Sequence, residues 1–330
     1  MKITSAHGSG GRDSALLMRD IFGRRFSNPI LDRLEDAAVL DSSPFTHGRL
    51  AVSTDSFVVT PLVFKGGDIG KLSVCGTVND LLMVGAKPLY LTCGFILEEG
   101  LDVDLLDLVA ASMAETAQVA GVSVIAGDTK VAGYGGGLCV NTTGIGVVPP
   151  EREVSAAGCE PGDAVLLSGN LGDHHACILS ARMGVENEIK SDCCCLYDIT
   201  DALYAAGVRI KAMRDVTRGG LGTVLNEIAA SSGCAVSLRE EDIPVDEAVR
   251  GFCGLMGLDP LYMGNEGKMI AVIDGRDETK AIKAARKTQN GKNAVLIGQV
   301  ATGNGVSMQT RLGGTRRVDV LYGEGLPRIC

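Results

Sequence analysis

Four aspartates at the borders of apolar runs are the residues of this sequence best suited to chemistry. They are Asp36 in Leu34-Glu35-Asp36-Ala37-Ala38-Val39, Asp55 in Val52-Ser53-Thr54-Asp55-Ser56, Asp80 in Thr77-Val78-Asn79-Asp80-Leu81, and Asp128 in Ile125-Ala126-Gly127-Asp128-Thr129-Lys130. Taken singly, each reads first as a turn or cap residue. Taken together, hard oxygen donors supplied from several element ends suit Mg2+, which accepts a few carboxylates and leaves its other positions to water and phosphate. The pattern predicts a metal–polyphosphate site with Asp36, Asp55, Asp80 and Asp128 as ligands. A second reactive group closes the sequence. In Gly323-Glu324-Gly325-Leu326-Pro327-Arg328-Ile329-Cys330 a thiol stands on the last residue, on a tether loosened by two glycines and stiffened by Pro327. By itself such a thiol reads as a frayed end; beside a phosphate-handling site it reads as a carrier arm.

The elements that must position these groups fall into two series. Runs rich in β-branched residues predict strands at 37–40, 50–59, 90–97 and 138–148, with helices over 69–84 and 103–120 between them. The stretch Pro149-Pro150-Glu151-Arg152-Glu153 then breaks every pattern and marks a domain boundary. Beyond it, strands at 164–168, 235–238, 269–273 and 295–300 alternate with helices over 173–183, 220–230 and 278–288. That alternation predicts an α/β (α+β) class fold in two domains, 1–150 and 151–317. A strand-like 318–322 opens a mobile tail, 318–330. From that strand the tail spans about 25 Å when extended, enough for a path from surface to cleft.

Composition narrows the function classes. The chain has 330 residues, room for two cores, and is 45% hydrophobic with 44 glycines and no Trp. No run reaches the roughly 18 to 20 apolar residues of a membrane span, and the N-terminus has no apolar signal core. The expected location is the cytoplasm. A net charge of −9 argues against a nucleic-acid partner. The 11 cysteines then read as thiols. Cys193-Cys194-Cys195 does not read as a metal site, because adjacent side chains splay apart and no second Cys/His pair answers them.

The usual nucleotide signatures fail. Gly66-Gly67-Asp68-Ile69-Gly70-Lys71 is too short for a P-loop and lacks the following Ser/Thr, and Gly220-Leu221-Gly222 lacks the third glycine of a dinucleotide fold. Gly8-Ser9-Gly10-Gly11-Arg12 reads as a mobile loop whose bare backbone could close over phosphates.

Ser53-Thr54-Asp55-Ser56, Gly66-Gly67-Asp68-Ile69-Gly70, Gly76-Thr77-Val78-Asn79-Asp80-Leu81, Gly127-Asp128-Thr129-Lys130 and Arg214-Asp215-Val216-Thr217-Arg218-Gly219-Gly220 resemble the PurM-like ATP-binding superfamily. Within it, Gly127-Asp128-Thr129-Lys130-Val131, Asn265-Glu266-Gly267-Lys268 and above all Pro327-Arg328-Ile329-Cys330 resemble the HypE family of hydrogenase maturation factors. The resemblance covers essentially the whole chain. One departure is His175 in Gly172-Asp173-His174-His175, where the family pattern usually has glycine.

The resemblance implies a homodimer whose N-terminal sheets form a shared barrel, a C-terminal α/β sandwich, and ATP with Mg2+ in the cleft between domains. It implies ATP-dependent dehydration of a thiocarbamate on Cys330 to a thiocyanate, the cyanide source for [NiFe]-hydrogenase iron. The implied partners are the carbamoyltransferase HypF and the HypC–HypD iron carrier. Asp36, Asp55, Asp80 and Asp128 would then hold Mg2+ on the triphosphate. Asn79, Thr129, Gly10, Gly11 and Arg218 would contact the nucleotide. Two protons must leave nitrogen, and Glu266 and Lys130 are the candidate bases. Lys130 reads equally as a phosphate clamp, and Glu266 equally as a capping or ion-pairing residue. Two other classes are less favoured. A small-molecule synthetase or kinase gives no reason for a terminal thiol, and a non-catalytic thiol scaffold gives none for the aspartates.

Overall fold

The computed structural model describes residues 1–320 apart from Gly10, Asp36 and Tyr134. Its first half is built on a four-stranded sheet of β1 (Arg49–Phe57), β2 (Lys87–Glu98), β3 (Ser123–Ala132) and β4 (Leu138–Val148) in the order β1-β4-β2-β3. Only β2 and β3 run parallel, and the crossover this demands is helix α2 (Val103–Ala120). Asp102 starts α2 by accepting from Asp104 N, and Gly121, at φ 69, ends it.

Helix α1 (Ile69–Met83) begins at Asp68, whose carboxylate accepts from Gly70 N at 2.7 Å and Lys71 N at 3.1 Å. The P-loop-like glycines therefore end in a helix cap. α1 is apolar on all sides because it is enclosed on all sides. It lies between β1 and β4, helix α2, and strand β6 (Ile210–Asp215) of the second half. At Gly70 a side chain would collide with the main-chain oxygen of Val109 and lie 2.8 and 2.9 Å from Asp68 Oδ1 and Met113 Cγ. Gly70→Ala should gain roughly 1 kcal/mol of helix propensity. It should lose more by overpacking, about 1–3 kcal/mol, because a helix backbone cannot step aside. A lower urea midpoint with an unchanged slope is the expected result.

The second half carries β5 (Ala164–Leu167), β6, β7 (Ala235–Arg239), β8 (Met269–Ile273), β9 (Val295–Ala301), β10 (Gly305–Gln309) and β11 (Thr315–Val318), in the order β11-β10-β7-β9-β5-β8-β6. β5 and β8 are buried on both faces. Helix α5 (Gly220–Ser232) covers one face. Helices α3 (Asp173–Met183), α4 (Tyr197–Ala205), α6 (Glu247–Met256) and α7 (Glu278–Ala285) contribute to the other. That second core is continuous with the core around α1 and α2, so the two halves share one apolar interior.

Three expectations need correction. Residues 37–40 form no strand, and β3, which carries Asp128 and Lys130, takes the place in the first sheet. The last strand is Thr315–Val318, set by pairing of Val318 with Val306, so 318 is not the first residue of a free tail. Gly8 and Gly11 are not loop residues of one mobile segment. Gly8 ends a short helical turn packed against Val131, and Gly11 caps the helix Arg12–Leu17. No helix among the described residues is long and apolar enough to cross a membrane.

Candidate active site

Carboxylates collect where α1, β1 and β6 meet. Ser53 and Asp55 lie on the face of β1 that looks toward α1, and Ser53 Oγ donates to Asp80 Oδ2 at 2.6 Å. Gly76 and Gly144 make the approach of α1 close, since a Cβ at either would lie within 2.8 Å of Phe57, Leu81 or Thr77 side chains. Asp215, the last residue of β6, faces the same seam. Burial pushes the Asp80 carboxyl up and Asp55 adds to the push, while the Ser53 hydroxyl, Arg218 and Arg214 pull it back. Burial, and Asp80 beside it, push Asp215 up to about 7. A cavity of about 650 Å3 opens here, lined by Ser53, Asp80, Arg214 and Asp215.

Glu266 approaches the same cluster from a tightly held loop. Asn265 is fully buried; its side chain donates to the Val216 and Met263 carbonyls and accepts from Gly172 N at 2.7 Å. Glu266 N donates to Asp192 Oδ1 at 3.1 Å, and Lys268 Nζ lies 3.2 Å from Asp192 Oδ2 in a buried ion pair. Cys194 N donates to Glu266 O at 3.4 Å. Gly267 has no Cβ because the Asp192 carbonyl and the Cys194 sulfur occupy that space. Burial first, then Asp215, Asp192 and Asp55, push the Glu266 carboxyl well above the carboxylate range, with Arg218 opposing. A carboxyl in this state is a proton acceptor only after its own proton has left.

Asn79 has a different task from the one expected. It is 2% exposed, donates to Cys194 O at 3.1 Å and accepts from Leu196 N at 2.9 Å. Its amide clamps segment 192–196 to α1 and so supports Glu266 from behind; it does not face open space as a nucleotide contact. His175, the departure from the family pattern, is buried on α3, and its Nδ1 accepts from Gly264 N at 3.5 Å. Burial first, then His174 and Arg182, hold its pKa down to about 4, so it packs as a neutral ring behind the Glu266 loop.

Asp128 and Lys130 stand elsewhere. Asp55 pairs with Thr142, Thr142 with Cys93 and Cys93 with Gly127, so Asp55 and Asp128 sit at the same level but on opposite edges of the sheet. Three strand spacings separate them, about 14 Å. They also project to opposite faces, because Asp128 is one residue out of phase with Gly127. Asp128 and Lys130 pair at 3.0 Å, both about two-thirds exposed, and the Lys130 hydrogen bond holds the Asp128 carboxyl down. Thr129, between them, is buried toward the helices and lines, with Asp128, an apolar cavity of about 510 Å3 under Phe22, Phe26 and Leu31.

The expected single four-aspartate ligand set is therefore not assembled. Asp55 and Asp80 come together, Asp128 does not join them, and among the described residues no three His, Cys, Asp or Glu side chains form a metal cage. Asp36, Gly10 and Cys330 lie outside the described residues. Asp215, Asp192 and Lys268 were missed as site residues. Asp215 stood inside a quoted motif, and its position at the end of an apolar strand was the signal. Asp192 had only its place before the three cysteines, which drew attention to the thiols instead. Cys193 is buried with its sulfur against Cys75.

Residues 34–148 match the family "AIR synthase related protein, N-terminal domain", and residues 160–311 match the corresponding C-terminal domain family. The carbamoyl dehydratase HypE of Azotobacter vinelandii is 47% identical over 99% of this chain and 97% of its own. The crystal structure of a hydrogenase maturation protein HypE in complex with ATP superposes with a TM-score of 0.94 at 45% identity, covering 99% of both chains. HypE in a HypE–HypF complex superposes with a TM-score of 0.81 at 43% identity, over 92% of this chain and 99% of that one. With this likeness across both halves, the chain belongs to the HypE family, the carbamoyl dehydratases of hydrogenase maturation.

Proposed function

We propose that this protein uses ATP to dehydrate an S-carboxamide carried on Cys330, giving a protein thiocyanate that becomes a cyanide ligand of hydrogenase iron. The observation that carries the reading is the convergence of Glu266 on Asp55, Asp80, Asp215 and Arg218 at the seam of the two halves. The carbonyl oxygen of –S–C(=O)–NH2 attacks the γ-phosphorus and ADP leaves. One nitrogen proton departs as the imidate phosphate forms. The second departs as the C–O bond breaks and phosphate is released, leaving –S–C≡N. Glu266 is placed to take a nitrogen proton once its carboxyl is ionised. Arg218, ahead of the N-terminus of α5, is placed to meet phosphate charge.

Mg2+ fits the donor chemistry here. Asp80 and Asp215 crowd each other without enough positive charge nearby, and an ion arriving with a triphosphate needs only one or two protein carboxylates. Bound there, it would offset phosphate charge; Asp80 and Asp215 would hold it, with Asp55 beside them. Asp36 is kept as a further candidate from its sequence position.

The site is completed across a homodimer in this reading. Among the described residues β1 and β3 are both free edges, and Leu50 and Val52 expose apolar side chains on the face away from the helices. Free edges and open apolar faces favour pairing with a second copy. A shared barrel would let Asp128, Thr129, Lys130, Gly10 and Gly11 of one subunit serve the nucleotide opposite Asp55, Asp80 and Glu266 of the other. Lys130, already paired with Asp128, suits a phosphate clamp better than a base. The domains of this reading are 1–150 for nucleotide and dimer, 151–318 for the second domain, extended by one residue because Val318 closes β11, and the remaining residues for the carrier arm. HypF loads the arm, and HypC–HypD receives its product. ATP use and unpaired thiols fit a cytoplasmic setting.

Mass spectrometry of the C-terminal peptide tests the reading. The carbamoylated peptide is expected to lose the mass of one water when ATP is added to the full chain. If a Cys330→Ala protein formed the ATP-dependent product equally well, the reading would be wrong.

A further inference from the structure

The described chain ends beside the cleft's own supporting helix. Val318 is fully buried, and its carbonyl accepts from Asn226 Nδ2 at 2.9 Å. One residue on, the Asp319 carbonyl accepts from the Tyr262 phenol at 2.9 Å. Both partners belong to the unit that holds Arg218. Asn226 is on α5, and its Nδ2 also donates to Gly222 O at 2.8 Å. Tyr262 lies directly under the first turn of α5. A Cβ at Gly220 would sit 2.5 Å from the Tyr262 carbonyl carbon, and one at Gly222 would sit 2.6 Å from its ring. Gly219 and Gly220 both have left-handed φ angles, 80° and 62°, which turn the chain from Asp215 and Arg218 into the helix. The root of the arm and the loop facing Glu266 are thus fastened to the same two side chains.

We propose that Asn226 and Tyr262 are positioning residues that fix the root of the carrier arm, Val318 and Asp319, relative to the Arg218–Gly222 turn. This rests on the reading of Cys330 as the carrier. Direction rather than length is what the anchor controls. Freeing two residues of a ten-residue tether lowers its effective concentration by less than about twofold. Loss of one neutral hydrogen bond that orients a reactant is expected to slow the step by about three- to tenfold.

The test uses full-length protein loaded with the carbamoyl group, followed through a single turnover with ATP. Tyr262→Phe keeps the ring under α5 and removes only the hydroxyl. Asn226→Ala removes the second contact independently. Both variants should dehydrate the arm about three- to tenfold more slowly, with nucleotide affinity and melting temperature held close to those of the parent. Rates within twofold of the parent for both variants would overturn the proposal. So would a rate loss matched by an equal loss of nucleotide affinity, which would mark a packing role under the cleft. Failure of the carrier reading shows separately, as ATP-dependent product from Cys330→Ala.

Discussion

Replacing Glu266 by Gln should abolish most of the dehydration while leaving the protein folded, with a fall of roughly a hundred- to ten-thousandfold in the single-turnover rate. The isosteric amide keeps the fit against Asp192 and Gly267 but cannot take a proton. The pH profile supplies the second half of the expectation. Burial and three neighbouring carboxylates raise the Glu266 pKa, so the group keeps its own proton to higher pH than an ordinary carboxylate. The wild-type rate should therefore rise with pH, approaching tenfold per unit while the carboxyl is mostly protonated, and the Gln variant should be flat. Stability should run the other way. Between the ordinary carboxylate range and the raised folded value, the native protein holds a proton that the unfolded chain releases, so stability falls as pH rises. Glu266→Gln removes that contribution, and its melting temperature should equal or exceed that of the parent at alkaline pH. Activity in Glu266→Gln within tenfold of wild type, or a wild-type profile that falls with pH, would remove Glu266 from the role of base.

The sequence made the local elements readable where one principle dominated. Leu138–Val148, Val103–Ala120 and Asp173–Met183 appear where hydrophobic period and caps place them. β3 was hidden because Gly127, Asp128 and Lys130 interrupt its apolar pattern; it is an edge strand with an exposed end, so alternation is lost just where chemistry enters. Residues 37–40 carried the right residue types for a strand but find no strand to pair with among the described residues. At the site, Asp55 and Asp80 were legible as polar groups beside buried elements, while Glu266 came only with the family resemblance. Asn79 was misread because sequence position cannot say which way a helix residue faces. On α1 both faces are buried, and the side chain turns to the main chain of 192–196. Asp215 entered the sequence reading only as part of the Arg214–Gly220 motif, whereas the strand end brings its carboxylate beside Asp80.

The separation of Asp128 from Asp55 within one chain leads to a complementation result of comparable size. Asp128→Asn and Glu266→Gln should each be nearly inactive as homodimers, the first through loss of a carboxylate at the phosphates and the second through loss of the base. In a mixed dimer the two lesions fall in the same composite site if Asp128 of one subunit serves Glu266 of the other. The second composite site is then intact. Random assortment of equal amounts puts half the protein in mixed dimers with one working site of two, so the mixture should recover about a quarter of wild-type activity. Both inactive subunits retain Cys330, so the recovery does not depend on which arm enters which site. Were Asp128 and Glu266 to act within one chain, every site would carry a lesion and mixing would restore nothing. Restoration after co-expression, absent when either variant is expressed alone, requires a site shared between subunits. The sheet itself argues for that arrangement. Within one chain Asp55 and Asp128 lie on opposite edges of the sheet, about 14 Å apart, whereas pairing of β3 of one subunit with β1 of another would set the two residues side by side.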